Sequence, residues 1–157
     1  MHRIEQLFKQ YQFAYFEEEG VYIQNVFQSA FQDGNGNACA SHAIGIYCNQ
    51  PYSFSRFHKL DHDELWHFYE GDPFVLHLLY PNGETQSITM GDDLQKGEQR
   101  TFLVPAGTWQ AGELVDGNYA LFACTVCPAF VPHIYTHRVQ EELIAQYPHM
   151  KNIIEQF

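Results

Sequence analysis

Residues 54–71 restrict the fold of this chain more than any other stretch. Phe54, Arg56, His58 and Leu60 share one face if the run is extended, because side chains on a strand alternate with period two. A polar turn at Asp61–Asp63 interrupts the run, and Glu64, Trp66 and Phe68 then resume the alternation. Each strand presents one ionisable group among apolar neighbours. A buried imidazole or carboxylate has to be paired, liganded or neutralised, so His58 and Glu64 call for one shared interior.

The flanking chain repeats the same grammar of short alternating runs and turns. Runs at 20–30, 42–48, 74–80, 85–90, 99–104, 109–115 and 119–127 read as strands. They are separated by signals such as Asp33-Gly34-Asn35-Gly36-Asn37, Asn49-Gln50-Pro51 and Pro81-Asn82-Gly83-Glu84. Asp116-Gly117-Asn118 predicts a hairpin joining 109–115 to 119–127, and Pro105-Ala106-Gly107 a tight corner. Ile4, Leu7, Phe8 and Tyr11 have helical spacing, as do Leu143, Ile144 and Tyr147 before Pro148, and Met150, Ile153, Ile154 and Phe157. The prediction is one all-β domain over residues 1–157, a barrel or sandwich with short helices at both ends.

A chain of 157 residues, 45% hydrophobic, can bury an adequate core. Its formal charge of −11 argues against nucleic acid or an anionic membrane as partner. There is no apolar run of spanning length, and the opening MHRIEQLFKQ lacks the core of a secretory signal, so a cytoplasmic location is expected. Cys124 and Cys127 have CxxC spacing, but residues three apart on a strand face opposite ways. The pair is therefore expected as buried or partly buried free thiols, and the four cysteines (Cys39, Cys48, Cys124, Cys127) are too few and too scattered for a disulfide framework.

The segments FHKLDHDELWHFYEGDP, VPAGTWQAG and PHIYTHRVQEELIAQYPHMKNII resemble the uncharacterised cupin family five, from about Tyr22 to the C-terminus. His58, Glu64 and Gly71 fit the first cupin motif, with Leu60 where a second histidine usually stands. Pro105 and Gly107 fit the second, with Gln110 in place of its histidine. The resemblance implies a double-stranded β-helix (jelly-roll) barrel, a homodimer, and a site inside the barrel. Glu17-Glu18-Glu19-Gly20-Val21 replaces the family's His-Pro-Glu-Gly-Gly, and Gln24 and Gln28 sit where arginines are expected. That removes cations a phosphate or carboxylate clamp would use.

Three readings follow for the site. As a binding module, the barrel would hold a small polar molecule, sugar- or nucleotide-like, among Tyr22, Arg56, Trp66, Phe68, Trp109 and Gln110, with Trp109 the favoured pocket residue. As a metal-free isomerase or epimerase, the chemistry of sugar epimerases of this fold, it would use His58 and Glu64 as acid and base, with Tyr22, Tyr47 or Tyr69 as a further acid. As a weak metal enzyme, it would bind a divalent ion through His58, Glu64 and Gln110, although an amide oxygen is a poor donor to such ions. His62-Asp63-Glu64-Leu65-Trp66-His67 is not a zinc-protease motif, since it lies in a strand with its histidines five apart. His67 and His77 are expected at an inter-sheet or dimer contact, and His133 and His137 in solvent.

Overall fold

A computed structural model describes residues 3–137 and 139–157. The strands are β1 (Ala14–Phe16), β2 (Val21–Gln28), β3 (Ser41–Cys48), β4 (Ser55–Leu60), β5 (Asp63–Gly71), β6 (Phe74–Leu79), β7 (Thr85–Met90), β8 (Thr101–Val104), β9 (Trp109–Leu114), β10 (Tyr119–Cys127) and β11 (Tyr135–His137). They form two antiparallel sheets, one ordered β1-β2-β3-β10-β5-β8 and the other β11-β4-β9-β6-β7. Helix α1 (Arg3–Tyr11) precedes them, and α2 (Gln140–Gln146) and α3 (Lys151–Ile154) follow. This is the jelly-roll arrangement, with the two inner faces enclosing one core.

Alternation explains β5, where Glu64, Trp66 and Phe68 are buried and the residues between them are not. Strand β10 is buried on both faces. Ala120, Phe122 and Cys124 belong to the interior cluster with Trp66 and Phe74, while Leu121 and Ala123 lie beneath Leu7 of α1. Gly45 in β3 leaves the space taken by the Phe122 ring, which any side-chain carbon there would strike. On the other sheet Phe57, Trp109 and Leu79 pack against Leu143, Tyr147 and Ile154. Helices of seven and four residues do not hold their shape alone. Burying a leucine or isoleucine contributes about 1.5–3 kcal/mol, which is what fixes them here.

The predicted β6–β7 hairpin forms, with Phe74 opposite Met90 and Leu79 opposite Thr85. The hairpin predicted around Asp116-Gly117-Asn118 does not. Strand β9 pairs with β4 and β6, whereas β10 pairs with β3 and β5, so that turn carries the chain from one sheet to the other. Turn chemistry is the same in both cases; only the partner differs. Among the described residues no helix is long and apolar enough to cross a membrane. All four cysteines are free; Cys124 is buried as expected, but Cys127, the last residue of β10, is exposed.

Candidate functional site

Strand β4 is not a regular strand. Ser55 pairs with Gly112 but His58 with Gln110, so β4 carries one residue more than β9 over that interval. A bulge of this kind resets the alternation and re-aims side chains. Ser55 therefore lies inside, bonded by the Tyr47 hydroxyl at 2.7 Å, and His58 and Leu60 also face inward. The strict alternation that grouped Arg56 with His58 fails here. The Arg56 guanidinium instead donates to the Glu17 carbonyl at 3.0 Å and lies over the Phe54 ring. Its backbone is what serves the site: the Arg56 N–H donates to the Glu19 carbonyl at 2.8 Å, and the Arg56 carbonyl accepts from His58 Nδ1 at 2.8 Å.

A carbonyl can only accept, so Nδ1 carries a proton, and in the neutral ring Nε2 is left as an acceptor. Nε2 has no hydrogen-bond partner among the described residues, although His58 is only 4% exposed. The imidazole stacks on Tyr135, ring centroids 5.4 Å apart. Glu19 Oε1 approaches Nδ1 to 3.9 Å, beyond hydrogen-bond reach. Glu19 is tucked inward by the turn between β1 and β2, where Gly20 takes a left-handed φ of 91°.

Glu64, 6% exposed, faces His58 from the opposite sheet. A second chain of bonds fixes it. The Trp66 indole N–H donates to Gln110 Oε1 at 2.9 Å, which turns the Gln110 amide nitrogen toward Glu64 Oε2. An indole only donates, so the orientation of the amide is determined. Burial pushes the Glu64 carboxyl above its ordinary value; His58 and the Gln110 and Cys124 bonds oppose this, while the Glu19 charge adds to it. Burial likewise pushes the Cys124 thiol well up, with Glu64 and Glu19 adding to the effect, so Cys124 is a neutral donor rather than a nucleophile.

These groups line a cavity of about 360 Å³ at one end of the barrel, walled also by Tyr15, Phe16, Phe130 and Tyr135. Of the residues expected at the site, His58 and Glu64 line it and Gln110 stands behind Glu64. Trp66 and Phe68 belong to the packed interior, with Trp66 stacked on Phe122. Trp109 faces outward beneath the C-terminal helices, with Lys59 over its ring. Tyr22 packs outside against Phe8, Tyr47 is committed to Ser55, and Tyr69 lies on the outer sheet face beside His42. His67 shares that outer face, bonded to Thr125 at 3.0 Å. His77 is bonded to Ser87 and Glu113 beside Phe157, so neither histidine lies between the sheets. His133 and His137 are exposed, as expected.

Two cavity groups were missed. Glu19 sits in an acidic triplet that reads as a solvated turn, and Tyr135 in a strand of three residues, too short to show a period. The metal set His58, Glu64 and Gln110 does not fit a divalent ion, because Gln110 turns its nitrogen toward Glu64, directs its oxygen to Trp66 and does not line the cavity. Among the described residues no three His, Cys, Asp or Glu side chains converge as metal ligands.

Comparison with known proteins agrees with this architecture. Protein SO0799 from Shewanella oneidensis matches with a TM-score of 0.89 and 26% identity, over 99% of this chain and 96% of its own. A hypothetical protein from Leishmania major matches with a TM-score of 0.87 and 23% identity, over 99% and 98%. Oxalate decarboxylase from Lactobacillus farciminis shares the fold alone, with a TM-score of 0.57 and 10% identity over 93% of this chain and 41% of its own. A search of curated proteins finds no match to the sequence. The family model described as "Cupin superfamily (DUF985)" matches residues 5–137, and the chain belongs to that cupin family.

Proposed function

We propose that this cupin binds a small polar organic molecule in the barrel cavity, against His58 Nε2 and Glu64. The observation that carries the reading is His58 itself. A buried imidazole held in one tautomer, with its second nitrogen open toward a cavity, is arranged for a partner that the described protein residues do not supply. A phosphate-bearing ligand is disfavoured, because the Arg56 guanidinium is engaged with the Glu17 carbonyl and no lysine or arginine among the described residues lines the cavity.

A second reading is favoured by the pairing of Glu64 with His58. A carboxyl raised by burial keeps its proton to higher pH than usual, facing an imidazole with an open acceptor. Such a pair can take a proton at Nε2 and return one from Glu64, as isomerisation or epimerisation beside a carbonyl requires. The reading includes a homodimer, supported by Phe27, Leu103 and Tyr69 standing exposed on the outer face of the six-stranded sheet. Light scattering in solution tests that part.

Thermal protection tests the binding reading. A ligand at a hundred times its Kd stabilises by about 2.7 kcal/mol. Protection by small polyols, keto sugars or amines should be present in the wild type and absent in His58→Ala. The same small shifts in both proteins would overturn it. Any ligand found is then incubated in deuterated water, where label at a carbon beside its carbonyl supports proton transfer and no label leaves binding alone.

A further inference from the structure

Among the described residues, the buried polar groups open to the cavity are mainly acceptors, and this asymmetry defines a ligand class. Glu19 is 8% exposed, and its carboxylate receives no hydrogen bond from the described residues. His58 Nδ1 lies 3.9 Å from it, but the proton there is directed to the Arg56 carbonyl. His58 Nε2 is a second open acceptor, on a ring 96% buried. Glu64, by contrast, is already served by Gln110 and Cys124. The side-chain amides of Gln24 and Asn25 lie at the more exposed end of the cavity.

Resting on the reading that the cavity is a ligand site, we propose that it selects molecules carrying a protonated amine, held between the Glu19 carboxylate and His58 Nε2. An ammonium group brings three donors and a positive charge, the complement of two unfilled acceptors. The walls agree. Tyr15, Phe16 and Tyr135 line the same cavity, and aromatic rings attract a nearby cation. The negative field of a chain carrying −11 draws cations toward the barrel and repels anions.

The test compares three probes of one shape, benzylamine, benzyl alcohol and benzoate, with a set of aliphatic diamines and amino alcohols, using the full chain at constant ionic strength. Calorimetry and thermal shift should show benzylamine binding at least about tenfold more tightly than benzyl alcohol, the size of one hydrogen bond to a charged group. Benzoate should not bind. Glu19→Gln should bring the amine down to the level of the alcohol while the unliganded protein melts no lower than wild type. Because the wild-type comparison stands without the variant, a misfolded Glu19→Gln would not obscure the result. Alcohol or benzoate binding as tightly as the amine overturns the amine class and leaves the binding site standing. Absence of binding across every set overturns both. Manganese or zinc taken up by the wild type and lost in Glu19→Gln would assign the carboxylate to a metal and overturn the amine.

Discussion

The His58 imidazole lies almost flat on the Tyr135 ring, the two planes 19° apart and their centroids separated by 5.4 Å. Tyr135 belongs to β11, whose pairing with β4 sets Tyr135 opposite Leu60 and brings the ring over His58. The Tyr135 hydroxyl is buried and has no hydrogen-bond partner among the described residues. Removing an unsatisfied polar atom relieves a desolvation penalty. Tyr135→Phe is therefore expected to unfold in urea at or above the wild-type midpoint. Tyr135→Ala removes the ring and should lose about 2–4 kcal/mol together with ligand protection.

Glu64 makes stability depend on pH in a definite direction. Its folded pKa lies above the ordinary 4.5, so the folded protein holds a proton that the unfolded chain has released. Stability from this group is complete below the unfolded pKa and falls as pH rises through the folded one. Glu64→Gln removes that dependence and still offers an oxygen to the Gln110 amide. The variant is expected to match wild type at acid pH and to exceed it at neutral pH, as checked by urea unfolding at both. A variant weaker than wild type at neutral pH would mean that the carboxylate is the favoured form.

Gln110 joins the buried Trp66 indole to Glu64, whose other side-chain partner is Cys124. Gln110→Leu leaves the Trp66 indole N–H without its partner and removes one of the two side-chain bonds to Glu64. Each lost partner costs about 1–3 kcal/mol, so the two together should cost about 2–6 kcal/mol, with a red-edge change in the fluorescence of Trp66. Pairing Gln110→Leu with Glu64→Leu should recover part of that loss, because both polar ends of the bond are then gone.

His58 and Glu64 were legible in the sequence because period two survives wherever one face of a strand is buried. What it does not mark is an inserted residue. The bulge at Arg56–Phe57 leaves no compositional trace, yet it decides that the guanidinium leaves the site and the Arg56 backbone enters it. Nor does period two say which face is the inner one. Trp109 adjoins Gln110 and so must face the opposite way, out toward the helices, once Gln110 is known to face in. Glu19 was hidden for a different reason. Its burial depends on the Gly20 turn and on β4 lying against it, contacts made across more than thirty residues of chain.

The cysteines differ enough in setting to give a chemical readout of the barrel. Burial pushes Cys48 up to about 12 and Cys124 well above its ordinary value, so neither is a thiolate near neutral pH. Cys127 is exposed at the end of β10, its thiol donating to the Cys39 carbonyl at 3.2 Å, and Cys39 is half-buried. Thiolate fraction and access together set the alkylation rate. Iodoacetamide on the native protein should therefore label Cys127 first and Cys39 next. Cys48 and Cys124 should be labelled only as the barrel opens, as read by peptide mass spectrometry across a urea series. Because Cys124 donates to Glu64 and lines the cavity, a bound ligand should delay its labelling more than that of Cys48. Equal delay at the two positions would mean that the ligand stabilises the fold from somewhere other than the cavity.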